Sequence, residues 1–186
     1  CPPNGQGVIA LMLLNIMSGV EKYGDHPLSV DRIHHEIEAG RITYRDRNLY
    51  LADPDFSAVP VDQMLSADYA AAIRAQINPE KAHGNLPATT LPPHKHTVYI
   101  SVVDKDRNAC SFINTVFHSF GAGLLTPESG IVLQCRGQGF VIEPDHPNCI
   151  APGKRPLHTI IPGMATKDGK TVMSFGVMGG EYQAFG

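Results

Sequence analysis

The sequence of 186 residues has no tryptophan, no long run of charge of one sign and only four cysteines. The cysteines are unevenly spaced and form no C-x-x-C pair, a pattern that argues against a zinc site: Cys1, Cys110, Cys135 and Cys149. The formal net charge at pH 7 is only −3. Because affinity for nucleic acid or for an anionic membrane depends on clustered positive charge, we expect neither partner.

Long hydrophobic runs are also scarce. The apolar run at residues 8–17 is too short to span a bilayer, and it lacks the basic lead and the cleavage site of a signal peptide. The chain begins with Cys1 and stops at Gly186 inside what resembles a structured motif, so we interpret it as a fragment. The compartment of the parent protein therefore stays open between cytoplasm and periplasm. With 42% hydrophobic and 18% charged residues, the composition is that of a globular chain able to bury a core.

The first part of the chain has helical patterns. Residues 8–17 are nearly apolar all round, which predicts a buried helix that ends at one of the glycines after it. A longer helix is expected to begin at a cap on Ser29 or Asp31 and to run to the Asp-Pro break at residues 53–54.

A third helix is predicted over residues 61–77. Residues 80–96 are rich in proline and glycine and have no apolar period, so they are predicted to form a flexible, exposed linker. His34 and His35 lie beside two glutamates on the second helix. The pattern H-H-E-x-E lacks the i, i+4 histidine pair that places two metal ligands on one helix face, so we expect no metal there.

Residues 97–115 contain the clearest strand pattern in the chain. Side chains alternate over residues 97–103, a polar turn follows at 104–108, and a second β-branched and aromatic run leads to Thr115. This pattern predicts a β-hairpin that returns Thr115 close to Thr97. The two threonines would share one end of a sheet, either as ordinary strand residues or as part of an active site.

Further strands are predicted at residues 131–133, 158–161 and 171–177, the last two joined through a turn at 167–170. The proline-dense residues 145–156 are predicted to form a fixed loop.

Two positions in this part of the chain each allow two interpretations. Arg136, in a glycine-rich loop, is either a solvated loop residue or a fork that binds a substrate carboxylate in bidentate fashion. Gly179 and Gly180 follow the last predicted strand. This pair either lets backbone N–H groups approach a ligand, as an oxyanion hole requires, or simply turns the chain.

Several unusual segments occur in a fixed order along essentially the whole chain. They are residues 2–7 (PPNGQG) with the helix after them, 32–47, 53–56 (DPDF), 97–104, 128–130 (ESG), 152–156 (PGKRP) and 179–180. No single segment is diagnostic, but the ordered set is specific. Together the segments resemble the γ-glutamyltranspeptidase family of N-terminal-nucleophile hydrolases.

The resemblance implies an α+β fold, part of an αββα sandwich, made as a proenzyme that cleaves itself between His96 and Thr97. Residues 1–96 would be the C-terminal part of the large-subunit region, and residues 97–186 the N-terminal part of the small-subunit region, with the two subunits paired after cleavage. The sequence runs unbroken through this bond, as in an uncleaved precursor.

The resemblance also assigns the chemistry. Thr97 would be the nucleophile, and its newly freed α-amine, with an ordinary pKa of about 7.7–8.0, would be the base. Thr115 would orient the nucleophile, and the N–H groups of Gly179 and Gly180 would stabilise the oxyanion. The acyl-threonine would pass to water or to an acceptor amine. No cofactor and no metal are expected.

Departures from the family pattern concern the substrate. Gly139 stands where γ-glutamyltranspeptidases carry the aspartate that binds the substrate α-amine, and His158 and Thr159 stand where they carry two serines. Phe117 replaces a binding asparagine, and Arg136 replaces a neutral polar residue. Loss of a charged partner costs a glutamyl substrate about 1.5–3 kcal/mol. The variant segments resemble a γ-glutamyltransferase-like branch that includes oxamate amidohydrolase, so a small amide bearing a carboxylate competes with a γ-glutamyl substrate.

Two further expectations concern binding and processing. Substrate-binding residues are expected to be Arg136, His158, Thr159 and Asn114. His96 lies directly before the expected cut, where relatives often carry a small or acidic residue. An unprocessed, inactive relative therefore stays open as an alternative.

Overall fold

The structure, a computed structural model, describes residues 1–21, 26–84 and 97–186. Two antiparallel hairpins and four helices make up its regular structure, which confirms the α+β prediction. The helices are α1 (Gly7–Ser18), α2 (Val30–Tyr50), α3 (Val61–Met64) and α4 (Ala67–Arg74), and the strands are β1 (Val98–Val103), β2 (Ala109–Asn114), β3 (Gly163–Lys167) and β4 (Lys170–Phe175). Short 3-10 turns span Arg136–Gly139 and Gly180–Ala184. In these ranges we find no helix with the length and apolar character that a membrane span needs.

The first two helices form near their predicted positions, but α2 ends at Tyr50, before the Asp-Pro break, and α1 is not buried all round, since Leu11 and Leu14 are exposed. Helix α1 ends at Gly19, and α2 begins after Ser29, whose Oγ accepts a hydrogen bond from the backbone N–H of Arg32 at 3.3 Å. Helix α2 continues through Gly40, where the ring of Phe185 comes within 2.7 Å of the place that a β-carbon would occupy. The glycine therefore permits a close contact between α2 and the end of the chain.

The third predicted helix, over residues 61–77, is wrong as a single element. The chain forms α3, turns, and starts α4 after Ser66. The Oγ of Ser66 accepts from the N–H of Tyr69 at 3.1 Å and so caps a new helix. Most of the predicted linker, residues 85–96, lies outside the described residues, as does His96.

The hydrophobic core belongs almost entirely to the helices. Helix α1 supplies its centre, because it packs against α2, α3 and α4. The buried members of the core are Val8, Ile9, Met12, Leu13, Ile16, Ala39, Ile42, Leu51, Met64, Ala70, Ile73, Ile77 and Ala184.

The first hairpin confirms the strand pattern of residues 97–115. Strands β1 and β2 pair in a register that runs from Val98 opposite Asn114 to Val103 opposite Ala109. In the second hairpin, Asp168 and Gly169 both have positive φ, 52° and 73°. That is the geometry of a two-residue turn whose twist matches the flanking strands.

Two predicted strands are wrong. Residues 131–133 form only an isolated bridge between Val132 and Leu125, and the strand before the second turn begins at Gly163 instead of residue 158. His158 cannot pair with β4, because its backbone N–H donates to the carbonyl oxygen of Asn4 at 2.8 Å and its carbonyl accepts from the N–H of Gln6 at 2.9 Å. The N-terminal motif thus takes the place of a neighbouring strand.

Candidate active site

Thr97 and Thr115 flank the first hairpin. Thr97 directly precedes β1 and Thr115 directly follows β2, and the pairing of Val98 with Asn114 puts both threonines at one end of the hairpin. Both side chains are half-buried. The Oγ1 of Thr115 accepts a hydrogen bond from the N–H of Phe117 at 3.0 Å, which fixes the side chain against the turn that follows β2.

The face of the first hairpin that carries Thr97 lies against β4. Along this face, the Oγ of Ser101 donates to the Oγ of Ser174 at 2.9 Å, and the hydroxyl of Tyr99 lies 3.3 Å from the same Oγ. On the neighbouring strand, the Oγ of Ser111 donates to the carbonyl oxygen of Phe175 at 3.2 Å. Hydroxyl groups therefore join the two hairpins.

Two contacts also give the direction of β1 relative to β4. Ser101 meets Ser174, and the Tyr99 ring lies within 2.5 Å of where a β-carbon on Gly176 would be. Going along β1 from Ser101 toward Thr97 therefore corresponds to going along β4 from Ser174 in the direction of Gly179. The contacts between the hairpins therefore run from Ser101 toward Thr97 on one side and from Ser174 toward Gly176 on the other.

The glycine pair has a backbone that other residues adopt only with strain. The φ of Gly179 is 127° and that of Gly180 is 58°. Within the described parts of the chain, neither backbone N–H donates to a protein acceptor. Two adjacent donors without a protein acceptor suit a ligand oxygen, although their role stays a prediction.

Arg136 is not the solvated loop residue of the first interpretation, since only 3% of it is exposed. Its Nη1 donates to the Oγ1 of the buried Thr159 at 2.7 Å, and its Cζ lies 4.3 Å from the centroid of the Phe117 ring. Its buried Nε has no hydrogen-bond partner. Thr159 and Phe117, from separate stretches of sequence, therefore meet at the guanidinium of Arg136, and we call this cluster the Arg136 pocket.

The electrostatics of this pocket favour an anion. Burial lowers the pKa of Arg136 to about 10. Burial, and then the charge of Arg136, lower the pKa of His158 to about 4, so His158 is neutral at pH 7. No carboxylate among the described residues forms an ion pair with Arg136. A buried guanidinium with an unused N–H is suited to bind a carboxylate that a ligand supplies.

The other predicted substrate residues lie at the edges of these features. Asn114 is exposed at the end of β2. Gly139 has no positive φ, and the atom nearest to the place that its β-carbon would occupy is the carbonyl oxygen of Leu157, at an ordinary contact distance of 3.5 Å. The backbone at this position would therefore accept a side chain, so steric hindrance does not account for glycine here in place of aspartate.

A buried polar network escaped the sequence prediction. The side chain of Gln6 is fully buried, and its Oε1 accepts from Nη1 of Arg47 at 3.1 Å. The Nη2 of Arg47 donates to Oε2 of Glu181 at 3.0 Å, next to the glycine pair. The only sequence signal is that Arg47 lies one helical turn after Thr43, on the buried face of α2.

A second ion pair ties the DPDF and PGKRP segments together. The carboxylate of Asp53, only 1% exposed, accepts from the backbone N–H of Arg155 at 2.8 Å and from its Nε at 3.0 Å. These hydrogen bonds hold the pKa of Asp53 well below its usual range. The two segments are distant in sequence, and the ion pair between Asp53 and Arg155 joins them in the fold.

The histidines on α2 are engaged with backbone groups. A ring nitrogen of His34 lies 2.7 Å from the carbonyl oxygen of Asn78, and one of His35 lies 2.7 Å from that of Asp31. Among the described residues, no group of three or more metal-ligating side chains comes together.

Known proteins match the chain over nearly its whole length. The family described as gamma-glutamyltranspeptidase matches residues 1–185. A glutathione hydrolase proenzyme from Pseudomonas sp. (strain A14) is 40% identical over 194 residues, covering 96% of this chain and 33% of that protein. An oxamate amidohydrolase proenzyme from Klebsiella pneumoniae is 33% identical over 185 residues, covering 97% of this chain and 33% of that protein. The chain therefore spans about a third of the length of these relatives.

A solved structure agrees with this match. The crystal structure of a cephalosporin acylase from Bacillus halodurans superimposes with a TM-score of 0.86 at 42% identity, over 99% of this chain and 33% of that chain. The fold is accordingly a part of the αββα sandwich of N-terminal-nucleophile hydrolases.

Proposed function

Because the chain belongs to the gamma-glutamyltranspeptidase family, we propose that its parent protein is a self-processing amidohydrolase or acyltransferase with Thr97 as nucleophile. The observation that supports this proposal is the packing of the two hairpins: Thr97 and Thr115 flank one end of the first hairpin, and its contacts with the second run along β4 in the direction of Gly179. Residues 1–96 then belong to the large subunit and residues 97–186 to the small subunit.

Self-processing begins at the bond between His96 and Thr97. The Oγ1 of Thr97 attacks the carbonyl carbon of His96, the C–N bond breaks, and the nitrogen takes the proton, which leaves an ester. Water then hydrolyses the ester, giving a carboxylate on His96 and a free α-amine on Thr97. One residue now holds both the nucleophile and the base.

Acyl transfer uses the same hydroxyl. The α-amine of Thr97 takes the hydroxyl proton as Oγ1 attacks the substrate amide, and the N–H groups of Gly179 and Gly180 stabilise the tetrahedral oxyanion. The leaving amine departs with that proton. Water or an acceptor amine then attacks the acyl-threonine ester and restores the hydroxyl.

The substrate is a small amide whose acyl group bears a carboxylate. Arg136 supports this proposal, because the buried guanidinium has no carboxylate partner among the described residues and Nε has no hydrogen-bond acceptor. Gly139 provides no charge for an α-amine. Oxamate, which has a carboxylate beside its amide and no amine, fits both conditions.

The proposal is tested on the full-length parent with Thr97→Ala, with Thr166→Ala on the exposed side of β3 as the matched control. Intact mass should show two chains for the parent and the control, and one uncut chain without acyl transfer for Thr97→Ala. A Thr97→Ala protein that still splits at this bond rules out the nucleophile. A parent that is never cut supports the alternative of an unprocessed, inactive relative.

The substrate class is tested by turnover of oxamate, followed as released ammonia, beside turnover of γ-glutamyl-4-nitroanilide. We expect oxamate to be the better substrate. Efficient γ-glutamyl turnover would refute the interpretation of Gly139.

A further inference from the structure

Gln6 contacts both parts of the candidate active site with a single side chain. Its Nε2 donates to the carbonyl oxygen of Thr159 at 2.9 Å and to that of Gly180 at 3.2 Å. Its backbone N–H donates to the carbonyl oxygen of His158 at 2.9 Å. The residue thus joins the segment beside Arg136 to the glycine pair, which lie 20 residues or more apart in sequence.

The amide of Gln6 is itself held in one orientation. Its Oε1 accepts from Nη1 of Arg47 at 3.1 Å, and Arg47 also binds Glu181 through Nη2 at 3.0 Å. Gln6 directly precedes α1, whose buried side chains form the centre of the core. A rigid helix and a buried guanidinium therefore fix the direction in which Nε2 donates.

We propose that Gln6 is a positioning residue that holds the oxyanion donors and the Arg136 pocket in one mutual geometry. The carbonyl of Gly180 belongs to the peptide that joins Gly180 to Glu181, so the bond from Gln6 restricts ψ of Gly180 and thereby anchors the chain directly after the two N–H groups of the pair. The bond to the Thr159 carbonyl fixes the residue whose Oγ1 binds Arg136. This inference rests on the proposed function, because only there do the glycine N–H groups meet an oxyanion.

The position of the two glycine N–H groups matters most when negative charge develops on the substrate oxygen. An oxyanion exists only in the transition state and intermediate, so a displaced donor lowers kcat, whereas ground-state binding of the substrate changes little. A residue that served stability alone would lower the melting temperature and leave the kcat of the folded enzyme unchanged.

The test uses the processed full-length parent and Gln6→Met, which retains the length of the side chain but removes its donors and acceptor. Gln76→Met, on an exposed residue whose amide donates only to the Ala72 carbonyl, is the matched control. With oxamate as the probe, we expect kcat to fall about 10- to 100-fold while KM changes less than about threefold. The control should match the parent in both constants.

Several outcomes decide the inference. A folded, processed Gln6→Met with kcat within about twofold of the parent overturns it, as does a rise in KM without a fall in kcat. If Gln6→Met does not fold, Arg47→Lys is the second variant, because it retains a positive charge near Glu181 but loses the fork that also binds Gln6. The same fall in kcat is expected there, and an unchanged kcat overturns the inference.

A parallel assay of Thr97→Ala separates this inference from the proposed function. If Thr97→Ala is inactive and Gln6→Met is fully active, only the positioning role fails. If Thr97→Ala still transfers acyl groups, the proposed function fails.

Discussion

The helical region, residues 1–84, and the β-rich region, residues 97–186, differ in how their buried charges are paired. In the described part of the helical region each buried charged side chain has an oppositely charged partner: Glu38 pairs with Arg41, Asp46 with Arg45, Arg47 with Glu181 and Asp53 with Arg155. In the β-rich region the buried charge is Arg136, and no described carboxylate pairs with it.

This difference supports the proposal that Arg136 binds a ligand carboxylate. A buried ion costs several kcal/mol of desolvation unless a partner compensates for it. The helical region meets this requirement within the protein, and two of its pairs, Arg47 with Glu181 and Asp53 with Arg155, tie distant segments together. At Arg136 a hydroxyl and an aromatic ring compensate only in part, so a bound carboxylate has the most to contribute there.

The largest expected effect comes from breaking a pair of the helical region. Glu181→Ala leaves the guanidinium of Arg47 buried without a carboxylate, and we expect a loss of about 3 kcal/mol in the free energy of unfolding. Denaturant titration of the parent protein measures it, with Glu128→Ala on an exposed loop as control. A loss below about 1 kcal/mol would mean that Arg47 does not depend on its carboxylate.

Removal of the buried charge in the β-rich region should lower activity without lowering stability. Arg136→Met should lower kcat/KM for oxamate by about 1.5–3 kcal/mol, roughly ten- to over a hundredfold. Stability should stay equal or rise, because an incompletely paired buried charge is removed. Arg107→Met in the exposed turn of the first hairpin is the control. Loss of stability without loss of activity would make Arg136 another structural charge.

A smaller effect is expected when a new charge is added beside this pocket. Gly139→Asp restores the carboxylate that, by the family resemblance, binds a substrate α-amine. The KM for γ-glutamyl-4-nitroanilide should fall by up to about tenfold, equal to about 1.4 kcal/mol. Gly137→Asp, at an exposed glycine of the same turn with open space around it, should leave this KM unchanged. Equal effects of both substitutions would indicate a general change of charge.

The last expected effect is a pH dependence of stability. The pKa of His158 is lowered to about 4 in the folded protein, against about 6.5 when unfolded. The unfolded chain therefore binds the proton more readily, and stability should fall as pH falls from about 6.5 to about 4. His158→Asn should remove this part of the slope in denaturant titrations across that range. His26→Asn, an exposed residue with a similar ring-to-backbone contact, should retain it.

Local sequence chemistry predicted the elements with short-range causes. The cap on Ser29, the apolar helix α1, the hairpin of residues 97–115 and the turn before β4 all depend on residues close in the chain. The errors have physical causes as well. Ser66 capped a second helix inside a continuous apolar pattern, and the N-terminal motif took the backbone groups that residues 158–161 needed for a strand.

The roles assigned to Thr97, Thr115, Gly179 and Gly180 came from the family resemblance and remain predictions. The structure adds that the two threonines flank the same end of the first hairpin. Burial of Arg136 could not be predicted, because its contacts come from Phe117 and Thr159, each about 20 residues away. The network around Gln6 was missed for the same reason, since its partners are 41 to 175 residues distant.

The sequence by itself determined the first two helices, the first hairpin, the turn of the second hairpin and the family. Periodicity, capping and turn chemistry act over short distances, and ordered motifs are readable as patterns. Only the tertiary structure decided which polar side chains are buried and what they bind. A charge has no preferred partner until folding removes water and brings distant segments together, and that step paired Arg47 with Glu181 and left Arg136 buried without a described carboxylate partner.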